Sequence, residues 1–132
     1  MILVDVYSEP KAIEVLYRLL KERPPGANIS HRGDVSLESH EKFVSSRPYS
    51  VWYLVKEDAD FVGSVYLTKL DEIGVFVFKA RQRRGVATEA IKKLLFFHHR
   101  TKYLANINPE NVRSIRLFEK LGFCHIQNTY SK

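Results

Sequence analysis

The sequence predicts an α+β fold, a single domain over residues 1–132 in which helices flank a mixed, mostly antiparallel central sheet. Three observations carry this reading. Stretches with the two-residue alternation of strands follow one another between residues 50 and 78 with only tight polar breaks, the pattern of an antiparallel meander. At Gly85 the apolar period lengthens to that of a helix, and a short apolar stretch and a second helical pattern follow, which adds one βαβ crossover. The size suits one core: of 132 residues 45% are apolar and 27% charged, with 6 Gly and 5 Pro, a balance that excludes collagen-like, low-complexity and wholly disordered chains.

Each element has its own grounds. Residues 1–7 are apolar enough for a first strand, and Ser8 is the expected cap of a helix to about residue 22, with Ile13, Leu16, Tyr17 and Leu20 as its apolar stripe. Pro24, Pro25 and Gly26 end that helix. Residues 27–35 have loop composition, and Ser36 opens a short helix to about residue 46. Val51, Tyr53 and Val55 then alternate with Trp52 and Leu54, Asp58-Ala59-Asp60 turns the chain, and residues 61–70 return as the second arm of a hairpin. Residues 73–78 make the next strand. From 85 to 100, Val86, Ala90, Leu94 and Phe97 share a helical face with Ala87, Ile91 and Leu95, while Lys92 and Lys93 point away. A short strand is expected at 103–107. Asn108 and Pro109 read as the cap and first residue of a helix in which Val112, Ile115, Phe118 and Leu121 step by threes, and Gly122 stops it. Residues 123–127 form a last, brief strand, so the C-terminal end of the sheet is short.

Lys and Arg number 21 against 15 Asp and Glu, a net charge of +6 that points towards a polyanionic partner. Arg81, Arg83 and Arg84 crowd together, with Lys79 before them and Lys92 and Lys93 after. No apolar run approaches the ~20 residues that span a bilayer. No basic run precedes Asp5, so a cytoplasmic location is expected. Cys124 is the only cysteine, which excludes an internal disulfide and a Cys-based zinc site, and no metal is expected.

The most informative segment is the passage from the strand ending at Phe78 into the helix opening near Gly85. A strand that enters a helix through a Gly-containing loop leaves the first helical N–H groups unpaired, and these donors with the helix dipole favour a phosphate. The segment is neither GxxxxGK[ST] nor GxGxxG, so ATP and dinucleotide readings lack their fingerprints.

Gln82-Arg83-Arg84-Gly85-Val86-Ala87 resembles the Q/R-x-x-G-x-G/A acyl-CoA loop of the GCN5-related N-acetyltransferase (GNAT) superfamily. The run from Asn111 to Phe123 is similar to the superfamily's N-x-x-S-x-x-L-[YF]-E-K-x-G-F segment, and Glu72-Ile73-Gly74 sits where relatives often carry E-I-G. The flavour is that of the branch with ribosomal-protein N-terminal and amino-sugar nucleotide acetyltransferases. The resemblance implies a GNAT fold and acetyl transfer from acetyl-CoA to an amine. It places the pyrophosphate on the loop Gln82, Arg83, Arg84, Gly85, Val86, Ala87 and Thr88. The pantetheine then runs along Val75, Phe76 and Val77 like an added strand, with Asn111 and Ser114 beside the CoA arm.

The resemblance also implies that Glu72 is the general base. Many relatives place a Tyr on the last helix to protonate the leaving sulfur, and Phe118 stands there in this sequence. Tyr53 and Tyr66 are the alternative hydroxyls and, with His31, the expected acceptor-side residues. Residues 27–49 carry His31, Arg32, Asp34, His40 and Arg47, which favours a small acceptor such as an amino-sugar nucleotide, with a protein N-terminus next. Cys124 is expected as a small buried apolar residue. Relatives add a strand where this sequence ends, so the expectation is either a short sheet edge or its completion by a second chain, a homodimer. Two other readings stay open: a basic nucleic-acid-binding domain using Arg81, Arg83, Arg84, Lys92 and Lys93, and a catalytically silent CoA-binding relative.

Overall fold

The computed structural model describes residues 1–23 and 35–132. Four strands, β1 (Ile2–Asp5), β2 (Val51–Glu57), β3 (Asp60–Leu67) and β4 (Ile73–Val77), form one antiparallel sheet in the order β1-β2-β3-β4. Helices α1 (Ala12–Glu22) and α2 (Leu37–Ser45) cover one face, and α3 (Val86–Phe97) and α4 (Val112–Lys120) the other. Each face has its own core. Trp52, Leu54 and Phe78 meet α1 and α2, whereas Val62, Val65 and Leu67 meet Ala90, Ile91 and Leu94 of α3 and Phe118 of α4. Leu54, Leu67, Ile91 and Leu94 are wholly buried, each stabilising the fold by about 1.5–3 kcal/mol.

Several expected boundaries shift for local reasons. Ser8 does not cap α1: its hydroxyl donates to Asp5 Oδ2 (2.8 Å), and Asp5 caps a 3-10 turn at Val6–Ser8, so the helix starts after Lys11. The buried stripe of α1 is Ala12, Val15, Leu16 and Leu19, one step round from the expected one, which leaves Ile13, Tyr17 and Leu20 half-buried. Ser36 does cap α2, accepting from Ser39 N–H (3.1 Å). In α3 the apolar face ends at Leu94, and Phe97 is exposed.

The crossover after α3 is rudimentary. Residues 103–107 make no strand; they meet the sheet at one parallel bridge, Glu72 to Leu104, with Ile73 N–H donating to Leu104 O (2.7 Å) and Leu104 N–H to Asp71 O (2.9 Å). Asn108 and Pro109 are not the start of α4. Asn108 holds a turn by accepting from Glu110 N–H (2.9 Å), and Asn111 is the cap, its Oδ1 accepting from Ser114 N–H (3.2 Å). Gly122, at φ +94°, stops α4 as expected: Phe123 N–H reaches back to Phe118 O (3.0 Å), the left-handed closure that favours glycine. The expected strand at 123–127 does not form, and Cys124 is exposed rather than buried.

Candidate active site

The single bridge at Leu104 shapes the site. In β4, Phe78 N–H donates to Val62 O (3.0 Å) and Glu72 O accepts from Thr68 N–H (2.8 Å), so even-numbered residues turn their backbone groups to β3. Odd-numbered residues face the other way. Ile73 there meets Leu104, and beyond it the chain at 105–107 leaves β4, so Val75 and the N–H of Val77 face a cleft, while the Val77 carbonyl accepts from Gln82. That cleft, about 800 Å³, opens between β4 on one side and residues 106–118 on the other. A strand edge with unpaired donors and acceptors accepts an extended ligand carrying amides.

One end of the cleft is the loop into α3. Gly85 sits at φ +78° as the residue before the helix, a left-handed conformation that L side chains rarely adopt, and Arg83 is also left-handed at φ +64°. Gln82, Arg83, Gly85, Val86, Ala87 and Thr88 line the cleft at the start of α3, where the first helical N–H groups have no partner within the helix. Arg84 is exposed and outside the lining. Gln82 ties the walls together: its Nε2 donates to Val77 O (3.0 Å) and its Oε1 accepts from Arg113 Nη1 (2.9 Å). Arg81 is held by Asp60 (2.7 Å) and Glu57 (3.9 Å), so the arginine cluster is partly neutralised and does not form a free basic stripe. On α4, Asn111 and Ser114 face the same cleft.

Glu72 stands where the cleft narrows to the Leu104 bridge. Its Oε1 accepts from Thr68 Oγ1 (3.1 Å) and its Oε2 from Asn106 Nδ2 (2.5 Å), so two donors fix the carboxylate in place. Phe118, 5% exposed, forms part of the floor and packs edge-on against Phe123 at 5.1 Å, and it offers no proton.

The other end lies under α1. The Tyr49 and Tyr66 rings stack at 3.9 Å and 2°, and Tyr66 lies flat over Gly74, where a Cβ would run into its ring. Burial pushes both phenols up, Tyr66 further raising Tyr49, while the charges of Arg23 and Glu72 act on Tyr66 in opposite senses. Arg23 lies over the Phe76 ring at 3.6 Å, its Nε buried without a hydrogen-bond partner among the described residues, and burial lowers its pKa.

The structure thus brings Glu72, Val75, Phe76, Val77, Tyr66 and most of the loop to one cleft. Tyr53 is not there: it lies towards α3, bonded through its hydroxyl to His98 Nε2 (2.7 Å). His31 falls outside the described residues. Arg23, Tyr49, Thr68, Asn106 and Arg113 were not singled out from the sequence. Arg113 lies within the Asn111–Phe123 motif, whereas Arg23 and Tyr49 carry no local signal. Among the described residues no three His, Cys, Asp or Glu side chains gather as a metal site, and no helix is long and apolar enough to cross a membrane.

Solved structures share the architecture. A domain from Methanocaldococcus jannaschii DSM 2661 superposes with TM-score 0.79 at 22% identity, covering 97% of this chain and 90% of that one. The ribosomal-protein-alanine N-acetyltransferase of Brucella melitensis gives 0.71 at 16%, covering 92% and 83%. The yncA protein of Salmonella typhimurium, solved with its cofactor acetyl-CoA, gives 0.65 at 20%, covering 92% and 77%. No curated protein sequence matches this chain significantly. Residues 13–123 match the model of the Acetyltransferase (GNAT) family, and the chain belongs to that family of N-acetyltransferases, whose acetyl donor is acetyl-CoA.

Proposed function

We propose that this acetyltransferase moves the acetyl group directly from acetyl-CoA to a primary amine of a small molecule, with both substrates bound together. The observation that carries the reading is the split beyond the Glu72–Leu104 bridge, which leaves the β4 edge open beside a left-handed Gly85 turn. The pyrophosphate lies on the N–H groups of the loop from Gln82 to Thr88, and the helix N-terminus and Arg83 supply the favourable charge. The pantetheine amides pair with Val75 and with the N–H of Val77, which brings the thioester towards Glu72, and Asn111 and Ser114 meet the same arm.

The chemistry then needs three things. The amine must be neutral when it attacks the carbonyl carbon, the carbonyl oxygen must be stabilised as charge develops, and the sulfur must leave. Glu72, fixed by Thr68 and Asn106, takes the ammonium proton directly or through a water. An N–H of β4 facing the cleft supports the oxyanion. A carbon–nitrogen bond forms, the carbon–sulfur bond breaks, the nitrogen gives its remaining extra proton to solvent, and CoA leaves as a thiolate, whose basicity is close to that of a Cys thiol at about pKa 8.5. A leaving group of that kind is stable enough in water-accessible surroundings, which suits Phe118 at the position where many relatives hold a tyrosine.

A homodimer in which a second chain completes the sheet edge beside residues 123–127 belongs to the same proposal; an elution volume that stays monomeric at every concentration would exclude it. The test of the main reading is a thermal-melt titration with acetyl-CoA against ADP as control, followed by thiol release with a panel of amines. A ligand at 100 times its dissociation constant adds about 2.7 kcal/mol to stability, so saturating acetyl-CoA raises the Tm clearly. No shift with acetyl-CoA, or an equal one with ADP, refutes it.

A further inference from the structure

Arg23 is a charged group of the cleft that acetyl transfer leaves without a use. It belongs to the acceptor end, with Tyr49, Tyr66 and Phe76 around it. Its Nε is buried with no hydrogen-bond partner among the described residues, and neither nearby carboxylate pairs with it. Glu22, the preceding residue, accepts from Lys79 N–H (2.9 Å), and Glu72 is held by Thr68 and Asn106. A buried guanidinium nitrogen without a partner among the described residues is costly to keep, and buried polar groups are almost always satisfied, so this atom calls for a ligand.

The shape of the donor edge says which ligand. Nε–H and the adjacent Nη–H of a guanidinium form a planar, parallel pair that matches the two oxygens of a carboxylate, one charge against one charge. A phosphate dianion leaves a second charge uncompensated there. A polyamine or other polycation sets a like charge against Arg23. Arg23, Tyr66 and Glu72 line the same cleft, so one ligand can meet both charges.

We propose that the amine acceptor carries a carboxylate, which the Nε and Nη edge of Arg23 binds while the stacked Tyr49 and Tyr66 rings flank its body and its amine points to Glu72. The acceptor class is therefore a small amino acid. This rests on the acetyl-transfer reading and narrows its acceptor; the carboxylate is a handle and is unchanged in the reaction.

The experiment uses glycine, β-alanine, 4-aminobutanoate and a set of larger α-amino acids, each beside its primary amide and its decarboxylated amine. Binding is measured calorimetrically with CoA present and with no donor, and turnover by thiol release from acetyl-CoA. At least one acid is expected to exceed its amide by about tenfold or more in kcat/KM, as a charge-assisted bidentate pair requires. Arg23→Gln raises that acid's KM by a similar factor and leaves its amide unchanged, and Arg23→Lys restores part of the loss. Arg23→Met keeps an apolar contact on Phe76 and removes the unpaired charge, so its Tm without ligand is unchanged or higher, whereas a structural arginine would lower it. Amides or plain amines accepted as readily as acids, or an Arg23→Gln loss that is equal for acid and amide, overturns the carboxylate anchor and leaves acetyl transfer standing. A missing acetyl-CoA melt shift refutes acetyl transfer instead, and the donor-free binding arm still decides on Arg23: no bound acid in the panel overturns it.

Discussion

Replacing Glu72 by glutamine separates chemistry from architecture at this site. The carboxylate accepts two hydrogen bonds, from Asn106 Nδ2 on one oxygen and Thr68 Oγ1 on the other. In Glu72→Gln the amide oxygen keeps the Asn106 donor, and the amide nitrogen faces Thr68 Oγ1. That hydroxyl already accepts from Leu70 N–H (3.2 Å) and residue 72 N–H (3.0 Å), and its own proton loses its acceptor. The structural cost is about one hydrogen bond, on the order of 1 kcal/mol. A general base contributes about 10²–10⁴ in rate, and each decade is about 1.36 kcal/mol of barrier, so kcat is expected to fall by a factor of about 100 or more, a loss of about 2.7 kcal/mol. The chemical effect thus exceeds the structural one more than twofold. Thiol release under saturating acetyl-CoA gives kcat and its pH profile, and the acetyl-CoA melt shift gives binding. A kcat within about threefold of the parent, with the same pH profile and an unchanged melt shift, refutes Glu72 as the base.

Three further outcomes are expected. Gly85→Glu places an L side chain at φ +78°, costing about 1–2 kcal/mol, and an acidic group at the proposed pyrophosphate; the variant stays folded by circular dichroism and shows no acetyl-CoA melt shift. Gly74→Ala drives a methyl into the Tyr66 ring and breaks its stack with Tyr49, which lowers stability by about 1–3 kcal/mol in denaturant titration and raises the acceptor KM more than the acetyl-CoA KM. His40, buried against Tyr17, has a pKa lowered first by burial and then by the Arg23 charge, against the Ile13 carbonyl and Glu41. The unfolded chain therefore binds its proton first, so stability is full above about pH 6.5 and falls as pH drops through that value towards the lower folded pKa; His40→Phe flattens that limb of the stability–pH curve.

Much of the fold could be read from local pattern because the signals are local. The hairpin of β2 and β3 follows from alternation around a polar turn, the start of α2 from Ser36, and the stop of α4 from Gly122. Errors arose where two residues competed for one role. Asp5 claims the Ser8 hydroxyl, so the cap reading at Ser8 fails; Asn108 and Asn111 are both plausible caps, and the turn held by Asn108 decides for Asn111. The expected strands at 103–107 and 123–127 have apolar composition but little to pair with. One parallel bridge is all the first makes, and the second stays exposed. Tyr53 and Tyr66 are on the same hairpin, yet the register of the sheet sends one to His98 beside α3 and the other to Gly74 in the cleft.

Local sequence carries the α+β class, the order of strands and helices from residue 36 to 97, the glycine that turns the loop into α3, and the motifs of the family resemblance. These depend on period, capping and backbone freedom, which neighbouring residues set. Tertiary structure alone decided that β4 parts from residues 105–107 beyond Leu104, opening a strand edge to a cleft. It also decided that Thr68 and Asn106, 38 positions apart, grip one carboxylate, and that Arg23 follows α1 over Phe76 with its Nε unpaired among the described residues. Those features come from contacts between distant segments, where packing and charge are balanced across the whole domain and no local pattern records the result.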